Sequence, residues 1–317
     1  MDLAEGRARA TAVLDLTLTR KIRPEDVDYQ VTAELLDVRS DRIAPGRVLT
    51  AGRLQLRADR TGLEVWGPAM LSDVPMEVRW RQGFAPADKG RSRVEGTMEL
   101  SPRALDAFGV ALPEGSVAGS GKGAFTLDLA AGKPAAFELR SDLAGLALRI
   151  PEIGWMKEAA TGGEFTLQGA LGAPPRIDRL ELSAAGLEAR GAVALRQGGE
   201  LDAIRLGEVK LRGWFDGAVE LKGQGAGKPV AVSVLGGRLD LGAATFGRGA
   251  SASAGGPLTV ALDRLQVTES IALDAFRGRF TTRGGLSGEF TGRIGGAVPV
   301  TGAVVPMGER AAVRIRA

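Results

Sequence analysis

The side chains that most often perform catalysis are missing from this sequence. Its 317 residues include neither a cysteine nor a histidine. Their absence excludes disulfides, thiolate metal sites, cysteine nucleophiles, histidine-dependent triads and imidazole acid–base chemistry. Paired carboxylates could still serve a glycan-acting hydrolase, but the Asp and Glu residues are scattered along the polar parity of strand-like segments, where carboxylates are usually solvated. We therefore expect a non-enzymatic protein with no catalytic residues, no metal site and no cofactor.

Three shorter features resemble functional motifs. Gly119–Gly123 (GSGKG) is similar to a phosphate loop, but the Walker spacing is missing and no helical pattern follows, so a glycine-rich β-turn is favoured. Ser101 with Arg103 indicates a helix cap rather than a reactive dyad. The four tryptophans could form a shelf for carbohydrate or headgroups, although wedging at sheet rims is the commoner role. They are Trp66, Trp80, Trp155 and Trp214.

The elements that carry these side chains are short strands with one apolar and one polar face. In Gly163–Leu195, Phe165 and Leu167 alternate with polar residues at the period of two that is typical of a half-buried strand. Gly172–Pro175 interrupts the pattern, because two prolines cannot sit inside a ladder. Ala185-Gly186 marks a second turn, after which the alternation resumes.

This strand–turn–strand unit recurs along the chain. Copies begin at Gly123, Gly163 and Gly217, which are 40 and 54 residues apart, and a looser copy begins at Gly288. Each copy runs from a strand through a Gly-Pro or Gly-Gly turn into a second strand. The irregular spacing argues against a solenoid with fixed rungs and predicts a long antiparallel meander.

One short helix is predicted near 102–108. Ser101 is a suitable N-cap, Pro102 suits the first helical position and Gly109 ends the segment. Elsewhere, Arg248–Gly256 (RGASASAGG) predicts a flexible loop or a tight glycine-rich turn. No apolar run approaches the roughly 18 residues of a membrane span. The chain begins without a signal peptide and stops inside a strand pattern at 311–317, so we expect a piece of a longer protein.

The charge balance argues against nucleic acid as a binding partner and says little about other partners. The net charge is +3 and the pI is near 9.4, with no block of Lys and Arg interleaved with aromatic residues. This mild excess suits proximity to anionic lipid headgroups, and solubility alone explains it equally well.

A one-sided sheet must cover its apolar face, and one short helix cannot cover this one. Three architectures would cover the apolar face: a sandwich, a closed barrel, or a curved groove that holds an apolar ligand. Periodicity alone favours a dry sandwich core filled by Leu and Val.

Several strand and turn signatures resemble alphaproteobacterial proteins of the AsmA-like superfamily, on its YhdP-like branch, which is related to TamB and the bridge-like lipid transfer proteins. The similarity covers nearly the whole chain. It is carried by Arg23–Tyr29 (RPEDVDY), Asp37–Ser40 (DVRS), Pro45–Arg47 (PGR), Val94–Pro102 (VEGTMELSP), Ser141–Leu146 (SDLAGL) and Gly284–Gly288 (GGLSG).

The resemblance implies an all-β fold: a long curved antiparallel sheet that forms an elongated, taco-like hydrophobic groove, in which 1–122 is the N-terminal part with the short helix and 123–317 the repeated-hairpin part. It implies a periplasmic location in a Gram-negative cell envelope, inner-membrane anchoring of the full-length protein, phospholipid as the partner and a role in outer membrane biogenesis. This chain departs from the full-length pattern, since it lacks the membrane anchor and the amphipathic C-terminal region.

The leading hypothesis is therefore lipid transport, with acyl chains carried in the groove between inner and outer membranes and no nucleic acid as partner. The alternative is a β-sandwich scaffold or interaction module of the cell envelope. The residues that would line the groove and bind lipid are Phe125, Leu127, Leu129, Phe137, Leu139, Phe165, Leu167, Leu180, Leu182, Val219, Leu221, Val232, Val234 and Phe290.

Overall fold

The computed structural model describes residues 4–16, 27–44, 46–110, 112–197, 200–225, 228–244, 255–307 and 310–316. It is 67% strand and 4% helix, which confirms the predicted all-β fold with a short helix. Nearly all of the segment Arg248–Gly256, predicted as a loop or turn, lies outside the described residues. Two compact units are formed, one by Met1–Ala111 with Gly119–Ser141 and the other by Leu112–Ala118 with Asp142–Ala317. The sequence-based division at 122/123 stays a prediction.

The sheet of the first unit is an antiparallel meander in which each strand pairs with the next along the chain. Its order is β1-β2-β3-β4-β5-β6-β8-β9. The bounds are β1 Glu5–Leu16, β2 Val27–Ser40, β3 Leu49–Asp59, β4 Gly62–Leu71, β5 Val74–Gly83, β6 Arg91–Leu100, β8 Gly121–Ala130 and β9 Ala135–Ser141.

A short helix, α1 (Pro102–Ala107), follows β6 and confirms the predicted capping. The Oγ atom of Ser101 accepts a hydrogen bond from the backbone N–H of Ala104 at 3.3 Å, and Pro102 occupies the first turn. Gly109 adopts the left-handed conformation (φ 69°) that ends the helix. A 3-10 turn at Pro86–Asp88 lies between β5 and β6.

The sheet of the second unit begins with a further antiparallel meander and ends with another. The bounds are β12 Glu164–Leu171, β13 Arg176–Ala184, β14 Leu187–Leu195, β15 Leu201–Leu211, β16 Phe215–Lys222, β17 Ala231–Val234, β18 Arg238–Asp240, β19 Pro257–Gln266, β20 Ala272–Thr281, β21 Ser287–Ile294, β22 Val298–Met307 and β23 Arg310–Arg316.

Parallel pairing in the middle of this sheet corrects the expectation of a purely antiparallel meander. Both β17 and β18 pair with β16 antiparallel and with β19 parallel. β17 and β18 therefore occupy one position in the sheet, between β16 and β19. They are separated by a break at Gly236-Gly237, where both residues have positive φ. A parallel neighbour requires a crossover of a dozen or more residues, and the link 241–256 supplies it.

A small three-stranded sheet also belongs mainly to the second unit. Its order is β11-β10-β7, with bounds β7 Val117–Gly119, β10 Leu146–Ile150 and β11 Trp155–Lys157. A 3-10 turn at Pro151–Ile153 connects β10 to β11. Here the predicted glycine-rich turn at Gly119–Gly123 is wrong, because Gly119 ends β7 while Gly121 and Gly123 pair with Leu100 and Met98 of β6.

The predicted turns hold where they can be followed. Gly132–Pro134 separates β8 from β9, Gly172–Pro175 separates β12 from β13, and Gly295-Gly296 separates β21 from β22. Ala185-Gly186 has positive φ at both residues (47° and 80°), the geometry of the two-residue hairpin loops that match strand twist.

Candidate functional site

The first unit has a continuous apolar face, which we define by two rows of directly opposed residues. Residues opposite each other on neighbouring strands point to the same side of a sheet. The first row crosses every strand of that sheet, and the second crosses β5 to β9. The rows are Ala10–Ala33–Leu56–Val65–Trp80–Val94–Leu127–Phe137 and Val78–Gly96–Phe125–Leu139.

The opposite side of this sheet is its charged face. Glu64 lies between two arginines: its Oε1 atom accepts from Arg79 Nη1 at 2.6 Å and from Arg81 Nε at 2.9 Å. Arg81 Nη1 also lies 3.0 Å from Glu95 Oε1. The hydrogen bond from Arg81 is the main reason that the pKa of Glu64 is lowered, and the same bond raises the pKa of Arg81. Opposite charges are therefore matched across β4, β5 and β6.

The second unit repeats this two-faced construction. Its apolar face is defined by three rows that run across neighbouring strands, including the parallel step from β17 to β19. The rows are Phe165–Leu182–Ala189–Val209, Leu167–Leu180–Gly191–Leu206–Val219–Val234–Val260–Gly278–Phe290–Gly302 and Val193–Ile204–Leu221–Val232–Leu258–Phe280.

The charged face of the second unit is also neutralised by ion pairs between neighbouring strands. Arg190 Nη1 lies 3.3 Å from Glu208 Oε2, and Arg205 Nε lies 3.0 Å from Glu220 Oε1. A hydrogen bond from Lys210 is the main cause of the lowered pKa of Glu208. Each sheet therefore keeps its charges on one side and its apolar side chains on the other.

Every predicted lining residue belongs to one of the apolar rows except Leu129. Leu129 lies on the same side of β8 as Leu127, opposite Ser92. Leu129 is 37% exposed, whereas Phe290 is only 5% exposed. The ring of Phe290 packs on Phe276 with centroids 5.3 Å apart. The other twelve predicted residues are half-buried: Phe125, Leu127, Phe137, Leu139, Phe165, Leu167, Leu180, Leu182, Val219, Leu221, Val232 and Val234.

Half-burial distinguishes these residues from an enclosed core. Fully enclosed side chains do occur on the same face, where Leu262 is 1%, Leu273 3% and Val300 2% exposed. They surround Phe276 and Phe290 and form a locally thick core. Along the predicted lining, by contrast, the leucines and valines keep part of their surface in contact with solvent. Such surface is free to accept another apolar partner.

The tryptophans of the first unit lie on opposite faces of its sheet. Within the first unit, Trp80 lies in the apolar row, whereas Trp66 lies on the charged face with the Arg79 guanidinium 5.7 Å from its ring centroid. Within the second unit, Trp155 is buried and donates from Nε1 to the carbonyl of Ala185 at 3.3 Å, and Trp214 lies beside Phe215. Trp155 is a packing residue, as expected for a wedge.

Sequence reasoning missed a buried lysine in the small sheet. Lys157 is 1% exposed, and its Nζ atom donates to the carbonyls of Leu143, Leu146 and Glu158 at 2.8, 2.8 and 3.1 Å. Burial lowers its pKa, and the charge of Asp142 opposes that shift. The three-residue strand around Lys157 is too short for any alternation to reveal the burial.

Clusters of metal-ligating side chains and long apolar helices are both missing from the described residues. No group of three or more metal-ligating side chains occurs there. None of the helices among those residues has the length and apolar character needed to cross a bilayer.

No family model, curated protein or solved structure matches this chain. The two-faced sheets themselves are therefore the basis for any functional argument.

Proposed function

We propose that this chain is a non-enzymatic lipid-transfer module whose apolar faces carry the acyl chains of phospholipids. The observation that supports it is the half-buried state of the apolar rows in each unit, set against ion-paired charged faces on the opposite sides. An acyl chain would remove this apolar surface from water at about 25 cal/mol per Å².

The dimensions suit such a ligand. The longest row of the first unit crosses eight strands, which is about 34 Å at roughly 4.8 Å per strand. A bilayer's hydrocarbon core is about 30 Å thick, so one acyl chain extends over about 15 Å. The row therefore offers room for at least one chain lying across the strands. Few bulky aromatic residues interrupt it.

The cellular setting is part of the proposal. Taken with the AsmA-like resemblance, the module would belong to a periplasmic, inner-membrane-anchored bridge that moves phospholipid between the inner and outer membranes. In such a bridge the charged faces would stay in water and keep the sheet soluble.

A pair of adjacent positions in each unit provides the test. A photocrosslinking amino acid is placed at Leu127 or Leu167 on the apolar faces, and at Thr126 or Gln168 on the charged faces as matched controls. Crosslinks to co-purified phospholipid, identified by mass spectrometry, should form only from the two leucine positions. Native protein free of lipid, or equal crosslinking from both faces, would contradict the proposal.

One observation favours the alternative, a scaffold that docks a protein partner. Every residue of β1 is exposed, and Val13 and Leu14, on opposite sides of the strand, are each 63% exposed. An exposed strand of this kind is a template for strand addition. A photocrosslinker at Val13 that captures a defined protein, while Leu127 and Leu167 capture no lipid, would establish the scaffold instead.

A further inference from the structure

The charged face of the second unit contains an open cavity of about 790 Å³ at the ends of β15, β16 and β18. Four cationic residues and a tryptophan line it, together with Gln266 and three carboxylates. The cations are Lys210, Arg212, Arg238 and Arg264; the tryptophan is Trp214; and the carboxylates are Asp216, Asp240 and Glu269. None of the lining residues belongs to the apolar rows that the lipid-transfer proposal uses, although Leu211, Phe215 and Leu239, from the apolar side of their strands, also line the cavity.

Two arginines in the cavity are direct neighbours. Arg238 of β18 and Arg264 of β19 are opposite each other in the parallel register, so their backbones lie about 4.8 Å apart. Like charges placed opposite each other destabilise a sheet unless something neutralises them. A bound anion would therefore reduce the repulsion between the two guanidinium groups.

The neighbouring carboxylates neutralise the pair incompletely. Arg264 Nη1 lies 3.5 Å from Asp274 Oδ1, and its Nε and Nη2 atoms donate to Gln266 Oε1 at 3.4 Å. Asp240 is turned to the backbone, since its Oδ1 accepts from the N–H of Gly242 at 2.8 Å. Arg238 is directly opposite Asp216 of β16, but among the described residues its guanidinium forms neither an ion pair nor a hydrogen bond.

The first unit contains a comparable pair of opposed arginines, in which both positive charges are neutralised by ion pairs. Arg81 and Arg93 are also directly opposite, on β5 and β6, and line a smaller cavity of about 520 Å³. There each arginine meets a carboxylate: Arg81 contacts Glu95 at 3.0 Å, and Arg93 Nε contacts Asp128 Oδ1 at 3.0 Å. Both pairs are flanked by directly opposed carboxylates, Glu64 and Asp128 in the first unit and Asp216 and Asp274 in the second. They differ in that every arginine of the first pair forms an ion pair, whereas among the described residues Arg238 forms none.

We infer that the cavity around Arg238 and Arg264 binds the phosphate ester of a polyol. A guanidinium fork matches two phosphate oxygens at once, and two adjacent forks can hold one phosphoryl group. Asp216 and Glu269 are placed to accept hydrogen bonds from hydroxyl groups, and Trp214 offers an apolar surface to the carbon skeleton. A lipid headgroup and a soluble sugar phosphate share this chemistry.

The test uses the whole chain and two probes. Calorimetry with glycerol 3-phosphate should show saturable binding that weakens about tenfold in Arg238→Gln, the loss expected for one charge-assisted hydrogen-bonded contact. Arg238→Lys keeps the charge but loses the two-pronged guanidinium group. Its affinity for glycerol 3-phosphate should therefore lie between those of the unsubstituted chain and Arg238→Gln. The matched control is Arg93→Gln, which removes an arginine from the neutralised pair and should bind like the unsubstituted chain.

Flotation with phosphatidylcholine vesicles containing phosphatidylglycerol distinguishes the sources. Vesicle binding that depends on Arg238 assigns the phosphate to a lipid headgroup, and binding of glycerol 3-phosphate alone assigns it to a soluble ester. Circular dichroism confirms that each variant keeps its strands. The inference is overturned if neither probe binds saturably, or if Arg238→Gln and Arg93→Gln bind the probe equally well.

Discussion

The Nζ atom of Lys157 lies 2.8 Å from the carbonyl oxygen of Leu143, a residue with left-handed backbone (φ 55°). The same ammonium group contacts the carbonyl of Leu146 at 2.8 Å. One buried cation thus ties β11 to the turn that precedes β10. Leu143, Leu146 and Trp155 are buried in the same region, and the ammonium group adds its hydrogen bonds to their packing.

We predict that Lys157→Met destabilises the small sheet by about 2–3 kcal/mol, because buried carbonyls lose a charged donor. Hydrogen exchange should show faster exchange over residues 142–163 while β12 to β16 keep their protection. Lys133→Met, at an exposed turn residue, is the control and should leave exchange unchanged. Unaltered protection around β10 in Lys157→Met would show that the lysine is dispensable.

The pH dependence of this contact has a defined sign. Burial lowers the pKa of Lys157 in the folded state, so the unfolded chain binds more protons between the folded value and the ordinary lysine value. Stability therefore rises with pH through that window. Relative to Lys157→Met, the unsubstituted chain should gain stability as the pH of urea unfolding is raised toward 10. If the difference in unfolding free energy between the unsubstituted chain and Lys157→Met narrows over that range, the assignment is contradicted.

The arginine–glutamate network of the first unit predicts a pH dependence of the same sign in the acid range. The folded pKa of Glu64 is lowered, first by the hydrogen bond from Arg81, so its contribution is fully present above the unfolded pKa. It is lost as pH falls through the folded value. Urea unfolding of Glu64→Gln should therefore differ from the unsubstituted chain at pH 7, and the difference in unfolding free energy should shrink as pH falls below the ordinary Glu pKa of about 4.3.

Salt provides an independent check on the Glu64 network. Because Arg79 and Arg81 are substantially exposed, 1 M salt should shrink the difference between Glu64→Gln and the unsubstituted chain at pH 7. A difference that persists at high salt would indicate a packing effect rather than charge pairing.

Adjacent residues on β8 test the assignment of the two faces. Thr126 lies between Glu95 and Glu138 on the charged face, and Leu127 lies between Val94 and Phe137 on the apolar face. Thr126→Lys should stabilise the fold by about 0.2–1 kcal/mol through new cross-strand charge pairs. Leu127→Lys should lower stability by about 1–3 kcal/mol, because it loses apolar contacts and places a charge among them.

The comparison is made by urea unfolding, followed by lipid co-purification of the folded variants. Leu127→Lys should carry less lipid than Thr126→Lys if the apolar face binds acyl chains. Destabilisation by both lysines to the same extent would mean that the two faces had been wrongly assigned.

Sequence alternation was sufficient to place Leu167 and Val219 on the apolar side, because each sits in an uninterrupted strand whose parity is unambiguous. It could not predict the parallel pairing of β17 and β18 with β19, because Gly236-Gly237 resembles any other turn until the crossover from β18 to β19 is known. Nor could it separate Phe290 from Phe165. Both follow the same local pattern, and their difference in burial depends on Phe276, which lies in another strand.

The contrast between Phe290 and Phe165 gives the last prediction. Phe290 packs on Phe276, and a side chain on the facing Gly302 would collide with its ring. Phe290→Ala should therefore cost about 3–5 kcal/mol, as expected when a ring leaves a buried cavity. Phe165→Ala should cost less, because the half-buried ring of Phe165 loses fewer contacts.

Added phospholipid makes the two substitutions distinguishable by function as well as by stability. A ligand that binds the folded state raises its unfolding free energy by mass action, so removing a contact residue reduces the increment. Short-chain phosphatidylcholine below its micelle concentration should raise the melting temperature of the unsubstituted chain and of Phe290→Ala by similar amounts, and that of Phe165→Ala by less. A smaller shift in Phe290→Ala alone would place the acyl chain against the thick core around Phe276 instead of along the half-buried rows.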